Sequence, residues 1–152
     1  EGLIMLKRRL FNYIDATQGL SLNLVYPVLQ SHDGTIWIGT ACGGLNRLTG
    51  DGIKVFQEEA GLTNHCIWSL LELPDHTIWI GTYGAGIFVF QDEKVTHLDN
   101  ASLNRSVVFS LFSDGIGNIW KFHCFSFLYF VIQYTINQNT RKVKRFSNIL
   151  TF

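Results

Sequence analysis

Apolar residues along this chain come in short runs of about four to six, broken by Gly, Asp and Asn, and rich in β-branched and aromatic types. One run recurs letter for letter: Thr35-Ile36-Trp37-Ile38-Gly39-Thr40 returns as Thr77-Ile78-Trp79-Ile80-Gly81-Thr82, 42 positions later. A third, altered copy stands at Asn118-Ile119-Trp120, where Lys121-Phe122-His123 replaces Ile-Gly-Thr. The same shift superposes Gly19-Leu20 on Gly61-Leu62, Leu29 on Leu71, Asp33 on Asp75 and Gly44 on Gly86. A period of this length is the mark of a repeat architecture.

Each unit divides into four strand-like runs. The first comprises Val25 to Gln30, Ile67 to Glu72 and Val107 to Phe112, and the second is the Trp hexapeptide. The third is Leu45 to Leu48 and Ile87 to Phe90, and the fourth Ile53 to Phe56 and Lys94 to Leu98. Ile36-Trp37-Ile38 puts apolar groups on both faces of its strand, which suits a sheet covered on both sides. Gly39 and Gly81 lack side chains, so a neighbouring backbone or aromatic can approach there. Four strands in about 42 residues, repeated, predict an all-β fold: a partial β-propeller of four-stranded antiparallel blades. The divisions expected are 1–14 as the end of one blade, 15–56 and 57–98 as two blades, and 99–152 as a divergent blade. In that last unit the run Tyr134 to Thr140 and then Arg141 to Phe146 reads as strand, turn and outer strand. The excess before it reads as an insertion of roughly seven residues, or as an end where repeat geometry is lost. Phe122 to Ile136 is nearly all apolar but too short for a bilayer span, which needs about 20 residues.

Composition adds mostly exclusions. Lys plus Arg (12) equals Asp plus Glu (12), so no electrostatic field favours nucleic acid as a partner. Three cysteines, Cys42, Cys66 and Cys124, lie far apart without a CxxC pair, and free buried thiols are expected ahead of a disulfide or metal role. His32, His65, His76, His97 and His123 show no metal-ligand spacing, so no metal and no cofactor is expected. No Gly-x-Ser-x-Gly elbow is present, and the Gly43-Gly44 and Gly84-Ala85-Gly86 pieces lead into strands where a phosphate cradle needs a helix. Asp33, Asp75 and Asp114 share one turn position, and Asp there bonds its own backbone. No catalytic residue is assigned. Trp37, Trp79 and Trp120, with Gly39 and Gly81, are expected as structural core; Trp68 stands where Tyr26 and Phe109 stand in the other units.

The pattern Gly-Leu-x-x-Asn, Asp-x-x-x-Trp-Ile-Gly-Thr and Gly-Leu-x-Arg-Leu, seen from Gly19-Leu20-Ser21-Leu22-Asn23 through Asp33-Gly34-Thr35-Ile36-Trp37-Ile38-Gly39-Thr40 to Gly44-Leu45-Asn46-Arg47-Leu48, resembles the two-component regulator propeller repeat. The resemblance covers roughly residues 11 to 98 and weakens at Lys121-Phe122-His123. It implies the periplasmic sensor region of a membrane-anchored hybrid histidine kinase, of a family many of whose members respond to oligosaccharides. Any kinase activity would lie outside this segment.

In a four-stranded blade the loop entering strand one and the loop joining strands two and three share a face. Asn23, Asn64 and His65 are therefore expected on the same side as Ala41, Cys42 and Tyr83. Loops on a rigid scaffold carry recognition, which makes Asn23, Asn64, His65 and Tyr83 the candidate ligand-binding residues, with Tyr83 placed against a sugar ring. About three and a half blades do not close a ring of roughly four to eight. The expected partners are the rest of a longer sensor chain, or a second copy meeting the open blade edges. Two other classes compete: a protein-interaction scaffold, and a propeller lyase or glycosidase. The first strands, mostly apolar with Glu72 and Gln30 polar, favour the enzyme least.

Overall fold

The computed structural model describes residues 13–122, 132–137 and 143–147. Twelve strands among these form three four-stranded antiparallel sheets. The first holds β1 (Val25–Gln30), β2 (Ile36–Thr40), β3 (Leu45–Thr49) and β4 (Gly52–Phe56) in that order. The second holds β5 (Ile67–Glu72), β6 (Ile78–Thr82), β7 (Ile87–Gln91) and β8 (Lys94–His97). The third holds β9 (Ser110–Ser113), β10 (Asn118–Phe122), β11 (Ile132–Asn137) and β12 (Val143–Ser147). The all-β propeller architecture is the one the repeat predicts. The opening fragment 1–12 and the segment 123–131 lie outside the described residues, as does Cys124. Among the described residues no helix is long and apolar enough to cross a membrane, and Ile132–Asn137, the end of the long apolar run, is a strand.

The core lies between the sheets. Ile78, Ile80, Phe88 and Phe90 join Trp37, Leu45, Phe56 and Ile67 in one buried cluster across the first and second blades. The alternating residues Trp79, Ile87 and Val89 join Val108, Leu111, Ile119 and Ile136 in another, across the second and third. A period of two thus sends alternate side chains of one sheet to opposite neighbours. All five residues of β6 are buried.

Glycine permits the close approach. A Cβ on Gly39 would stand 2.5 Å from Ile67 Cγ2, and one on Gly81 2.6 Å from Val108 Cγ1. In both cases an aliphatic side chain of the next blade lies there together with a side chain of the same blade, Pro27 Cγ at 2.5 Å for Gly39 and Ser69 Oγ, closer still, for Gly81. Phe122, half-buried, stands at this position in the third sheet. The threonine ending the hexapeptide closes the following turn: Thr40 Oγ1 donates to Gly44 O (3.0 Å) and Thr82 Oγ1 to Gly86 O (2.8 Å). The turn aspartates act as expected. Asp33 Oδ1 accepts the Thr35 N–H, and Asp75 Oδ1 accepts both the N–H and the hydroxyl of Thr77. The Thr35 bonds hold Asp33 below its ordinary pKa. Partial burial pushes Asp114 up, but donors from Asn118, Ile116 and Trp120 outweigh it and leave the carboxyl lowered.

Two expectations need correction. Cys42 and Cys66 are not free thiols but a disulfide, with an S–S distance of 2.08 Å. Neither lies near the other in sequence; they meet because the β2–β3 loop of one blade abuts the segment entering the next. The expected strand Val107–Phe112 begins only at Ser110. Val107 instead bridges to Tyr83, and Val108 donates to Thr82 O, so the second blade draws the start of this run toward itself. The pattern also hid a short feature: single turns of 3-10 helix at Ala16–Gln18 and Glu58–Ala60, each ended by a left-handed glycine, Gly19 and Gly61.

Candidate functional site

The strands β1 and β5 run side by side in the same direction. At their N-terminal ends Tyr26 meets Trp68, with ring centroids 5.1 Å apart. Trp68 also stacks on Tyr83 at 5.1 Å and an interplanar angle of 30°, and receives the edge of Phe109 at 4.7 Å. Four rings from three blades therefore form one patch where the innermost strands begin. The pairing registers of β1 with β2 and β5 with β6 both shift here, between Val25 and Val28 and between Ile67 and Ser69. A bulge of this kind re-aims a side chain out of the pleat; Tyr26 and Pro27 lie within the first, and Trp68 within the second. Tyr26 and Tyr83 are about half exposed, at 48% and 53%; Trp68 and Phe109 are more covered. Rings held by one another but open on one side present a preformed apolar platform with polar tips.

The surrounding loops are tied together by backbone. Ala41 N–H donates to Leu24 O, Gly44 N–H to His65 O, and Tyr83 N–H to Cys66 O. With the Cys42–Cys66 disulfide, these bonds put the strand-one approach and the β2–β3 and β6–β7 loops on one face, as strand counting predicts.

Of the four candidate residues, three gather there. Asn64 Oδ1 accepts the Cys66 N–H (3.0 Å) and its Nδ2 donates to Tyr83 O (3.3 Å), so this side chain fixes the loop that presents Tyr83. His65 is half-buried, and its Nε2 is buried with no hydrogen-bond partner among the described residues. Tyr83, like Tyr26, is an exposed ring of the patch. Asn23 turns elsewhere, its Oδ1 accepting the Ala16 N–H at 2.8 Å. Tyr26, Trp68 and Phe109 were legible only as an aromatic preference at one repeat position. Their meeting depends on three blades converging.

The arrangement suits an apolar, flat-faced ligand with polar edges, and no charged side chain belongs to the ring cluster. The interface edge below is electrostatically braced: Glu93 of the β7–β8 turn pairs with Arg47 and with Lys54 (2.6 Å) of the first blade. The Lys54 and Arg47 hydrogen bonds hold its carboxyl below the usual range.

Comparison with known proteins agrees with the fold and the repeat. Residues 61–84 match the family model described as two component regulator propeller. No curated protein matches the sequence. Among solved structures, the extracellular domain of the protein described as hybrid two component system BT3049 from B. thetaiotaomicron superposes with a TM-score of 0.71 at 18% identity, over 93% of this chain. That of BT4673 from the same organism gives 0.64 at 22% identity, over 88% of this chain. A virginiamycin B lyase from Staphylococcus aureus, in a catalytically inactive form with quinupristin, gives 0.65 at 18% identity, over 83% of this chain and 42% of its own. The chain spans 19% and 17% of the length of the two sensor structures. At these identities the likeness is one of fold.

Proposed function

We propose, from the two component regulator propeller repeat at residues 61–84 as premise, that this chain is part of the extracytoplasmic sensor propeller of a two-component system. It holds a saccharide at the aromatic patch, and the segment itself is non-catalytic. The observation that carries this is the four-ring cluster of Tyr26, Trp68, Tyr83 and Phe109, supported by the Cys42–Cys66 disulfide on the same face. Disulfides persist in oxidising compartments such as the periplasm and outside the cell, in keeping with the extracellular placement of the two-component relatives. A pyranose offers an apolar face to a ring and hydroxyls to its rim; Tyr83 and Trp68 supply the first, and the hydroxyls of Tyr26 and Tyr83 polar contacts beside them. Blade-to-blade packing then couples a ligand held across three inner strands to the rest of a longer chain. Self-association through an open blade edge is the other route to completing the ring.

Calorimetric titration of an oligosaccharide panel against the full chain tests the reading. Binding is expected to weaken at least tenfold in Tyr83→Ala and in Trp68→Ala. A panel in which no saccharide binds, or affinities that both variants leave unchanged, would overturn it. The protein-scaffold reading predicts a different result, in which the same variants lose a protein partner while saccharides leave the melting temperature unmoved.

A further inference from the structure

At the opposite ends of β1 and β5 from the aromatic patch, a second cluster spans the first and second blades. His32 lies in the β1–β2 turn, Glu72 ends β5, and His76 lies in the β5–β6 turn. Trp68 and Glu72 stand four positions apart on β5, or about 13 Å at the usual rise. Glu72 Oε2 accepts the backbone N–H of His32 at 3.0 Å, which fixes the carboxylate and leaves Oε1 for the imidazoles. His32 Nδ1 lies 2.5 Å from Oε1 and His76 Nδ1 3.6 Å from it. The two rings stack, with centroids 3.5 Å apart and planes 20° from parallel. One ligand atom from each residue falls within 4.8 Å of the others.

The His76 backbone is the unusual element. Its φ is +64°, a left-handed conformation, and the repeat places Gly34 (φ +84°) at the same turn position. A non-glycine residue there is uncommon, and histidine is among the types that tolerate it.

We infer that His32, Glu72 and His76 form a binding site for a divalent first-row transition ion, Zn²⁺ foremost, between the first two blades. Imidazole nitrogen with one carboxylate oxygen is a donor set suited to such ions and poorly suited to Ca²⁺ or Mg²⁺. Around a tetrahedral Zn²⁺ the donor atoms lie about 3.4 Å apart. His76 Nδ1 already stands near that distance from Oε1; the His32 ring must swing out by about 1 Å, and it is half exposed and free to do so. Three protein ligands leave a fourth position, which water or an anionic group of a partner completes. The ion would fasten two blades at the rim opposite the disulfide. This site does not depend on the saccharide reading, and the two stand or fall separately.

Calorimetric titration of Zn²⁺ into the full chain tests it, with the visible absorption of the Co²⁺ form as the second readout. One ion per chain is expected, with nitrogen and oxygen ligation in the Co²⁺ spectrum. His76→Gly removes a ligand while giving the left-handed position a residue that favours it, so the variant should fold at least as well in metal-free buffer. His76→Gly and Glu72→Gln should each weaken binding at least tenfold and abolish the Zn²⁺-dependent rise in melting temperature. Absence of binding to the wild-type chain, or binding that both variants retain, would overturn the site.

Discussion

Gly39 of the first blade rests directly against Ile67 of the second, with room for a hydrogen and none for a methyl. A Cβ would stand 2.5 Å from Ile67 Cγ2, and Ile67 is fully buried, so it cannot swing aside. The hexapeptide glycine is therefore a contact residue between blades as well as a strand residue. Gly39→Ala is expected to destabilise the chain by about 1–3 kcal/mol, the usual cost of overpacking a filled core. Urea unfolding measures it; an unchanged midpoint would mean that the blades do not pack as described.

The Cys42–Cys66 bond joins the β2–β3 loop to the segment entering β5, whose Cys66 carbonyl accepts the Tyr83 N–H, across a sequence separation of 24. Closing a loop of that size in the unfolded chain stabilises the fold by about 3 kcal/mol. Reductant, or paired substitution to serine, is expected to lower the melting temperature accordingly. Thiol titration in denaturant gives the bond directly: one reactive thiol per chain without reductant, three with it. Three in both conditions would exclude the disulfide.

Lys121 occupies, in β10, the repeat position held by Ile38 and Ile80, and it is buried at 1% exposure. Burial pushes its ammonium down to about 8. Between that value and the ordinary lysine range near 10.5, the unfolded chain binds more protons than the folded one, so stability rises with pH across this window. Below pH 8 the folded state carries the cost of a buried charge. Lys121→Ile is expected to raise the melting temperature at pH 7, with a smaller gain at pH 10. A gain independent of pH would assign the effect to packing alone.

Asn46 is fully buried, and its side chain serves two strangers in sequence. Oδ1 accepts the Ser21 N–H at 2.8 Å, while Nδ2 donates to Ser21 Oγ and to Ile38 O. Asn46→Ala leaves the part-buried Ser21 N–H and the buried Ile38 carbonyl without these bonds and is expected to cost about 1–3 kcal/mol. Asn46→Asp keeps the acceptor for Ser21 but adds a buried charge, and should be no better at neutral pH. Equal stability of Asn46→Ala and wild type in denaturant titration would contradict this network.

Most of the fold could be read from spacing. Strands β1 and β5 fall where the apolar runs put them, and the Trp hexapeptide forms β2 and β6 to within one residue. The reason is that strand pairing within a blade is local, joining runs separated by a few turn residues, and each turn carries its own Asp or Gly signal. The start of β9 could not be read, because Val107 answers to Tyr83 in the blade before it.

The sites divide in the same way. The period of 42 determines that Asn64, His65 and Tyr83 share a face, since loop position follows from strand count. It does not determine that Tyr26, Trp68 and Phe109 touch, that Cys42 bonds Cys66, or that His32 and His76 stack over Glu72. Each of those contacts joins neighbouring blades, at separations set by how one sheet lies on the next. A repeat in sequence specifies the blade; the packing angle between blades, fixed by side chains such as Ile67 against Gly39, decides which residues of different blades can act together.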